Sequence, residues 1–124
     1  MAKVSNWVTK LENEDIFYCS RNGVNASGIL TDEGFVVLKD SEGKGEVSNS
    51  GISETRQRSI ESQRKKLISN SIAIIENNKL LFLKDHLFNT PSRASSTLIG
   101  YSSNGWVDWK NESGCTLDEI KRLE

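Results

Sequence analysis

Apolar residues gather in short runs separated by polar stretches. Ile16-Phe17-Tyr18-Cys19 and Gly28-Ile29-Leu30 are the first two runs. Thr31-Asp32-Glu33-Gly34 then leads into Phe35-Val36-Val37-Leu38-Lys39, a four-residue connection ending in glycine that feeds a β-branched, aromatic segment. This pattern predicts an antiparallel meander over residues 16–39. Residues 40–51, DSEGKGEVSNSG, hold three glycines, three serines and few apolar groups, which predicts a mobile loop between two packed parts.

The period then changes. Ser53 is placed to cap a helix running to about Asn70. Ile60, Leu67 and Ile68 share one face of it, with Arg58, Ser62, Lys65 and Ser69 opposite. Arg64 falls inside the apolar stripe, so it must either reach along the surface to water, the commoner outcome for arginine, or make a specific contact. Ile72-Ala73-Ile74-Ile75, the asparagine-rich connection 76–79 and Leu80-Leu81-Phe82-Leu83 predict a hairpin, and two nearly continuous apolar arms predict that it is well buried.

Thr90-Pro91 marks a second helix start, with proline at the first helical position, where its missing N–H costs nothing, and Gly100 as the stop. Its small residues, Ser92, Ala94, Ser95 and Ser96, suit close backbone packing. Asn104-Gly105 reads as a turn before a strand at 106–110, and Thr116-Leu117-Asp118-Glu119 as a capping box opening a terminal helix to about Leu123. The expectation is a single α+β domain over residues 1–124: a β-meander and hairpin packed with two main helices and a short C-terminal helix.

Composition narrows the function classes. The 124 residues contain no apolar run near the roughly 18 to 20 that a membrane span requires, and Met1-Ala2-Lys3-Val4 leads into no apolar stretch, so a cytoplasmic protein is expected. Cys19 and Cys115 stand far apart with no CxxC spacing, and His86 is the only histidine. Two free thiols and no metal cofactor follow as expectations. No G-x-S-x-G elbow, P-loop or dinucleotide fingerprint is present. Asp32 with Glu42-Gly43-Lys44 has the letters of a metal-dependent nuclease, but a turn and a glycine-rich loop cannot hold ligands rigidly, and solvated charges are the ordinary explanation. Neither a catalytic residue nor a cofactor site is read from the chain.

Charge separates by position. There are 16 basic and 17 acidic side chains, yet residues 1–50 carry a net −3, residues 51–100 a net +4 and residues 101–124 a net −2. Arg56, Arg58, Arg64, Lys65 and Lys66 fall within eleven residues interrupted only by Glu61, a concentration able to meet an acidic partner. Thr90, Ser92 and Arg93 form a helix start of the type that receives phosphate, with simple capping as the bland alternative. Trp106 and Trp109, flanked by Asn104 and Lys110, would face opposite ways in a strand, one in the core and one exposed enough to stack on a base.

Four stretches also carry a family resemblance: Asn25-Ala26-Ser27-Gly28, Asp32 to Lys39, Thr90-Pro91-Ser92, and above all Gly100-Tyr101-Ser102-Ser103-Asn104-Gly105-Trp106-Val107-Asp108-Trp109-Lys110. In their order and spacing, over residues 16–122, the chain resembles a bacterial domain-of-unknown-function family found as an accessory domain at the C-terminus of GIY-YIG nucleases and in restriction-modification-associated proteins. The helix start followed by N-G-W-x-x-W is similar to the adenine-methylase-associated domains of restriction systems, proposed to recognise DNA. The resemblance supplies no catalytic residues. It places small residues and alanines where this chain has Arg93, Ser95 and Ser96, so this helix is more polar and basic than the pattern. It implies a non-catalytic accessory module, with any nuclease chemistry on another chain or on an N-terminal domain.

The resulting expectation is a DNA-binding accessory module that contacts nucleic acid through Arg56, Arg58, Arg64, Lys65 and Lys66, with Ser92 and Arg93 for phosphate and Asn104, Trp106 and Lys110 near a groove or splayed base. The alternative is a protein-interaction module supporting a partner nuclease or methylase.

Overall fold

The computed structural model describes residues 16–21 and 23–123. Strands β1 (Phe17–Cys19), β2 (Ala26–Thr31) and β3 (Gly34–Val37) form the expected meander. β4 (Glu42–Lys44) precedes helix α1 (Glu54–Ser69), after which come β5 (Ala73–Glu76) and β6 (Lys79–Phe82). β7 (His86–Phe88), helix α2 (Pro91–Ile99), a single helical turn α3 (Gly105–Asp108), β8 (Lys110–Asn111) and helix α4 (Leu117–Leu123) complete the order. The strands make two antiparallel sheets, β7-β3-β2-β1-β8 and β4-β6-β5, so the fold is α+β.

Local chemistry explains the boundaries. Ser53 Oγ accepts the Arg56 N–H at 3.2 Å, and Thr90 Oγ1 accepts the Arg93 N–H at 3.1 Å, each satisfying a first-turn donor. Gly100 ends α2 in the left-handed region, with φ 74°. Thr116 and Glu119 cap α4 reciprocally at 3.1 and 2.9 Å. The β5–β6 turn puts Asn77 and Asn78 at φ 53° and 61°, a conformation asparagine tolerates and a two-residue hairpin requires.

α2 is the central helix. Pro91 and every residue from Ala94 to Ile99 are buried, with α1, α3, β3 and β4 packed around it. Small side chains permit this closeness, and their hydroxyls are satisfied locally: Ser95 Oγ donates to Pro91 O at 3.1 Å and Thr97 Oγ1 to Arg93 O at 2.8 Å. Below α2 lies the core of Phe17, Cys19, Phe35, Phe88, Leu98 and Trp109. The rings of Phe35 and Trp109 pack with centroids 4.4 Å apart. Gly28 sits where a Cβ would strike the Phe35 ring, which fixes glycine in the middle of β2.

Three expectations require correction. Residues 40–51 contain a strand: β4 pairs with β6, and buried Ser41 exchanges hydrogen bonds with the Ser27 backbone at 3.0 and 3.2 Å. The β5–β6 hairpin is not buried throughout: on one face Ala73, Leu80 and Phe82 are buried but Ile75, on edge strand β5, is 47% exposed, and on the other Ile74 and Leu81 are half-buried. Residues 106–110 are not a strand. Asn104 Oδ1 accepts the Trp106 N–H at 3.1 Å and caps α3, and the strand is confined to Lys110–Asn111, paired with β1.

Candidate nucleic-acid interface

Helices α1 and α2 lie side by side in the same sense: the first turns of both line one space, through Arg56 on α1 and Ser92 on α2, and Arg64, further along, reaches Thr97. At their N-terminal ends they part, leaving a cleft of about 210 Å³. One wall is α1, where Arg56, Ser59, Ile60 and Gln63 recur at helical spacing. The other wall is Thr90 and the α2 residues Ser92, Arg93, Ser96 and Thr97. Two guanidinium groups and several hydroxyls therefore line one space, and among the described residues no carboxylate lines it.

A third segment is bonded to the α2 wall of this space. Ser92 Oγ accepts the Gly105 N–H at 2.9 Å, and Ser96 Oγ accepts the Ser103 N–H at 3.1 Å. A Cβ on Gly105 would drive into the Pro91 carbonyl carbon and oxygen, so α3 docks against the first turn of α2 as only glycine permits. Trp106, the next residue, is 37% exposed, whereas Trp109 is fully buried and donates its indole N–H to Pro91 O at 3.1 Å. One tryptophan in the core and one at the surface is the expected division, but a helical turn produces it rather than strand alternation.

The expected contact residues divide accordingly. The fold brings together Arg56, Ser92 and Arg93, with Asn104 and Trp106 on the adjoining segment. Arg58 is exposed on α1 and pairs with Glu54 at 3.2 Å, while Lys65 and Lys66 are exposed nearer its end. Lys110 borders a different depression, with Arg21, Asp108 and Glu112 and none of the cleft residues. Arg21 is already bonded to Asp108 at 2.8 Å, so the charges there balance. Asp108 Oδ2 also accepts from the Ser103 hydroxyl at 2.5 Å, which ties α3 to the segment before it.

Arg64 is withdrawn from any contact surface. It is 5% exposed, and its Nε and Nη2 donate to Thr97 O at 3.0 and 2.8 Å, with Leu98 O at 3.4 Å from Nη2. Burial lowers its pKa to about 10, which leaves it protonated at neutral pH. Reaching the rim loses to this contact because the last carbonyls of α2, the negative end of its dipole, lie inside the seam and α2 has no basic residue in its own last turn. The sequence reading missed Ser59 and Gln63 as cleft residues. Their spacing of three and seven residues from Arg56, which puts all three on one helix face, was the available signal.

The remaining reactive groups lie apart from the cleft. Both cysteines are free, Cys19 buried and Cys115 exposed. Burial first, then the nearby Asp108 charge, push the Cys19 thiol up to about 12, against a smaller opposing effect of Arg21. His86 lies on edge strand β7 with its ring edge-on to Phe88, and burial lowers its pKa. Asp32 occupies the β2–β3 turn, and Glu42 pairs with Lys79 at 3.1 Å. Among the described residues no group of three or more His, Cys, Asp and Glu is placed to hold a metal, and no helix is long and apolar enough to cross a membrane.

The family model described as a domain of unknown function, DUF4357, matches residues 17–121, and the chain belongs to that family. No curated protein and no solved structure matches it.

Proposed function

We propose that this member of the DUF4357 family is a non-catalytic accessory module that binds nucleic acid, DNA in the first instance, in the service of a nuclease or methylase of a restriction system. The observation that carries the reading is the cleft lined by both Arg56 and Arg93 together with the hydroxyls of Ser92 and Ser59 and, among the described residues, by no carboxylate. Guanidinium groups with flanking hydroxyl donors suit phosphate oxygens, which take half or more of the hydrogen bonds in protein–DNA complexes. Exposed Arg58, Lys65 and Lys66 add a diffuse positive field along α1. The resemblance to restriction-associated domains supports the setting. Chemistry on the nucleic acid is assigned to the partner.

Fluorescence anisotropy with labelled duplex and single-stranded oligonucleotides over a salt series tests this. Binding through the cleft is expected to weaken with a log–log slope of about −0.9 per duplex phosphate neutralised. The double variant Arg56→Ala/Arg93→Ala should flatten that slope and lose most of the affinity. Absence of binding to both oligonucleotides at low salt refutes the proposal.

A second reading has its own observation. Trp106 and Val107, 37% and 48% exposed, are adjacent apolar side chains on α3, and exposed aromatics often anchor protein interfaces. As a support for a partner nuclease or methylase, the domain would lose that partner on Trp106→Ala and keep it on the charge reversal Arg58→Glu.

A further inference from the structure

We infer that the ligand of the α1–α2 cleft is single-stranded or locally unpaired nucleic acid, with a phosphate between Arg56 and Arg93 and an adjacent base stacked on Trp106; the inference rests on the nucleic-acid reading above and specifies its substrate. Size is the first argument. At about 210 Å³ the cleft is smaller than the roughly 300–1,000 Å³ of sites that enclose drug-sized molecules, so it accommodates a phosphate and leaves the base outside.

Connectivity is the second. Ser92 lines the cleft and also accepts the Gly105 N–H at 2.9 Å. The residue after Gly105 is Trp106, a large aromatic side chain left 37% exposed at the surface. A cationic depression with a surface aromatic next to a residue bonded to its wall is the combination that binds unpaired strands, where charge holds the backbone and a ring takes the face of any base. A paired base offers no free face. α3, a single turn, is also too short to serve as the helix that reads a major groove. The depression bordered by Lys110 continues no positive path, since Arg21 and Lys110 are offset by Asp108 and Glu112.

The test compares a single-stranded oligothymidine and a hairpin duplex of equal phosphate number, bound to the full chain and to Trp106→Ala, Trp106→Phe and Arg56→Ala/Arg93→Ala. The single strand is expected to bind more tightly and to quench tryptophan emission. Trp106→Ala should weaken single-strand binding by roughly tenfold, the scale of one stacked base, leave duplex binding unchanged, and be rescued in large part by Trp106→Phe. Thermal melts confirm that each variant is folded. Equal or tighter duplex binding, or single-strand binding indifferent to Trp106→Ala, overturns the inference while leaving nucleic-acid binding in place. Failure of both oligonucleotides to bind overturns both, and a Trp106→Ala variant that then loses only a protein partner assigns this face to protein.

Discussion

The two ends of the α1–α2 seam use the same side chain to opposite ends. Arg56 and Arg64 stand two turns apart on one helix and both face α2. At the first, α2 presents its N-terminal turn, where Thr90 accepts the Arg93 N–H and no carbonyl is offered to the guanidinium, so the seam stays open and Arg56 lines it with Arg93 opposite. At the second, α2 presents the Thr97 and Leu98 carbonyls, and the guanidinium is drawn in and buried. The polarity of the neighbouring backbone, rather than the residue type, decides which arginine is structural and which is available for binding.

Removing each feature tests that contrast. Arg64→Ala should cost the most, about 2–4 kcal/mol in urea denaturation, because it strands two buried carbonyls and leaves a space. Arg64→Lys should recover part of this, since an ammonium cannot reproduce the two-pronged contact with Thr97 O. A loss below about 1 kcal/mol for Arg64→Ala would mean that the closed end does not depend on its cation. Gly105→Ala at the open end should cost about 1–3 kcal/mol by forcing α3 off Pro91, seen as a lower Tm and altered Trp109 emission.

Thr90→Ala removes the α2 cap and should cost about 1 kcal/mol in the same melts. Arg56→Ala should change stability least, by no more than about 0.5 kcal/mol, while weakening oligonucleotide binding. If Arg56→Ala destabilised as strongly as Arg64→Ala, the two ends would not differ and the cleft would be part of the packing.

What the sequence discloses follows how local each determinant is. Ser53, Thr90-Pro91 and Thr116 with Glu119 act within one turn of themselves, and the helix starts they signal are where they should be. So is the Asn77-Asn78 turn. β4 escaped notice because Glu42-Gly43-Lys44 has no apolar alternation: it is a strand because β6 offers it a ladder and because Gly43 admits the Leu98 backbone of α2. Trp106 and Val107 have strand propensity, and the docking of Gly105 on Pro91 overrides it.

The candidate site was legible as a set of residue types and not as a place. Arg56 and Arg93 are 37 positions apart, and only the parallel packing of their helices makes them neighbours. Arg64 was misassigned because the usual fate of a long cation on an apolar stripe depends on whether carbonyls lie within reach, which no local pattern reports.

The large sheet has a further consequence. Its strand β1 is flanked by β2 on one side and by β8 on the other, with Phe17 opposite Asn111. The chain must therefore hold almost its whole length in approximate position before that last ladder closes, and loop closure on this scale delivers no contacts until late. Folding is expected to proceed on the slower, millisecond-to-second side for a chain of this size, with the meander and the β5–β6 hairpin forming early and the β1–β8 seam last.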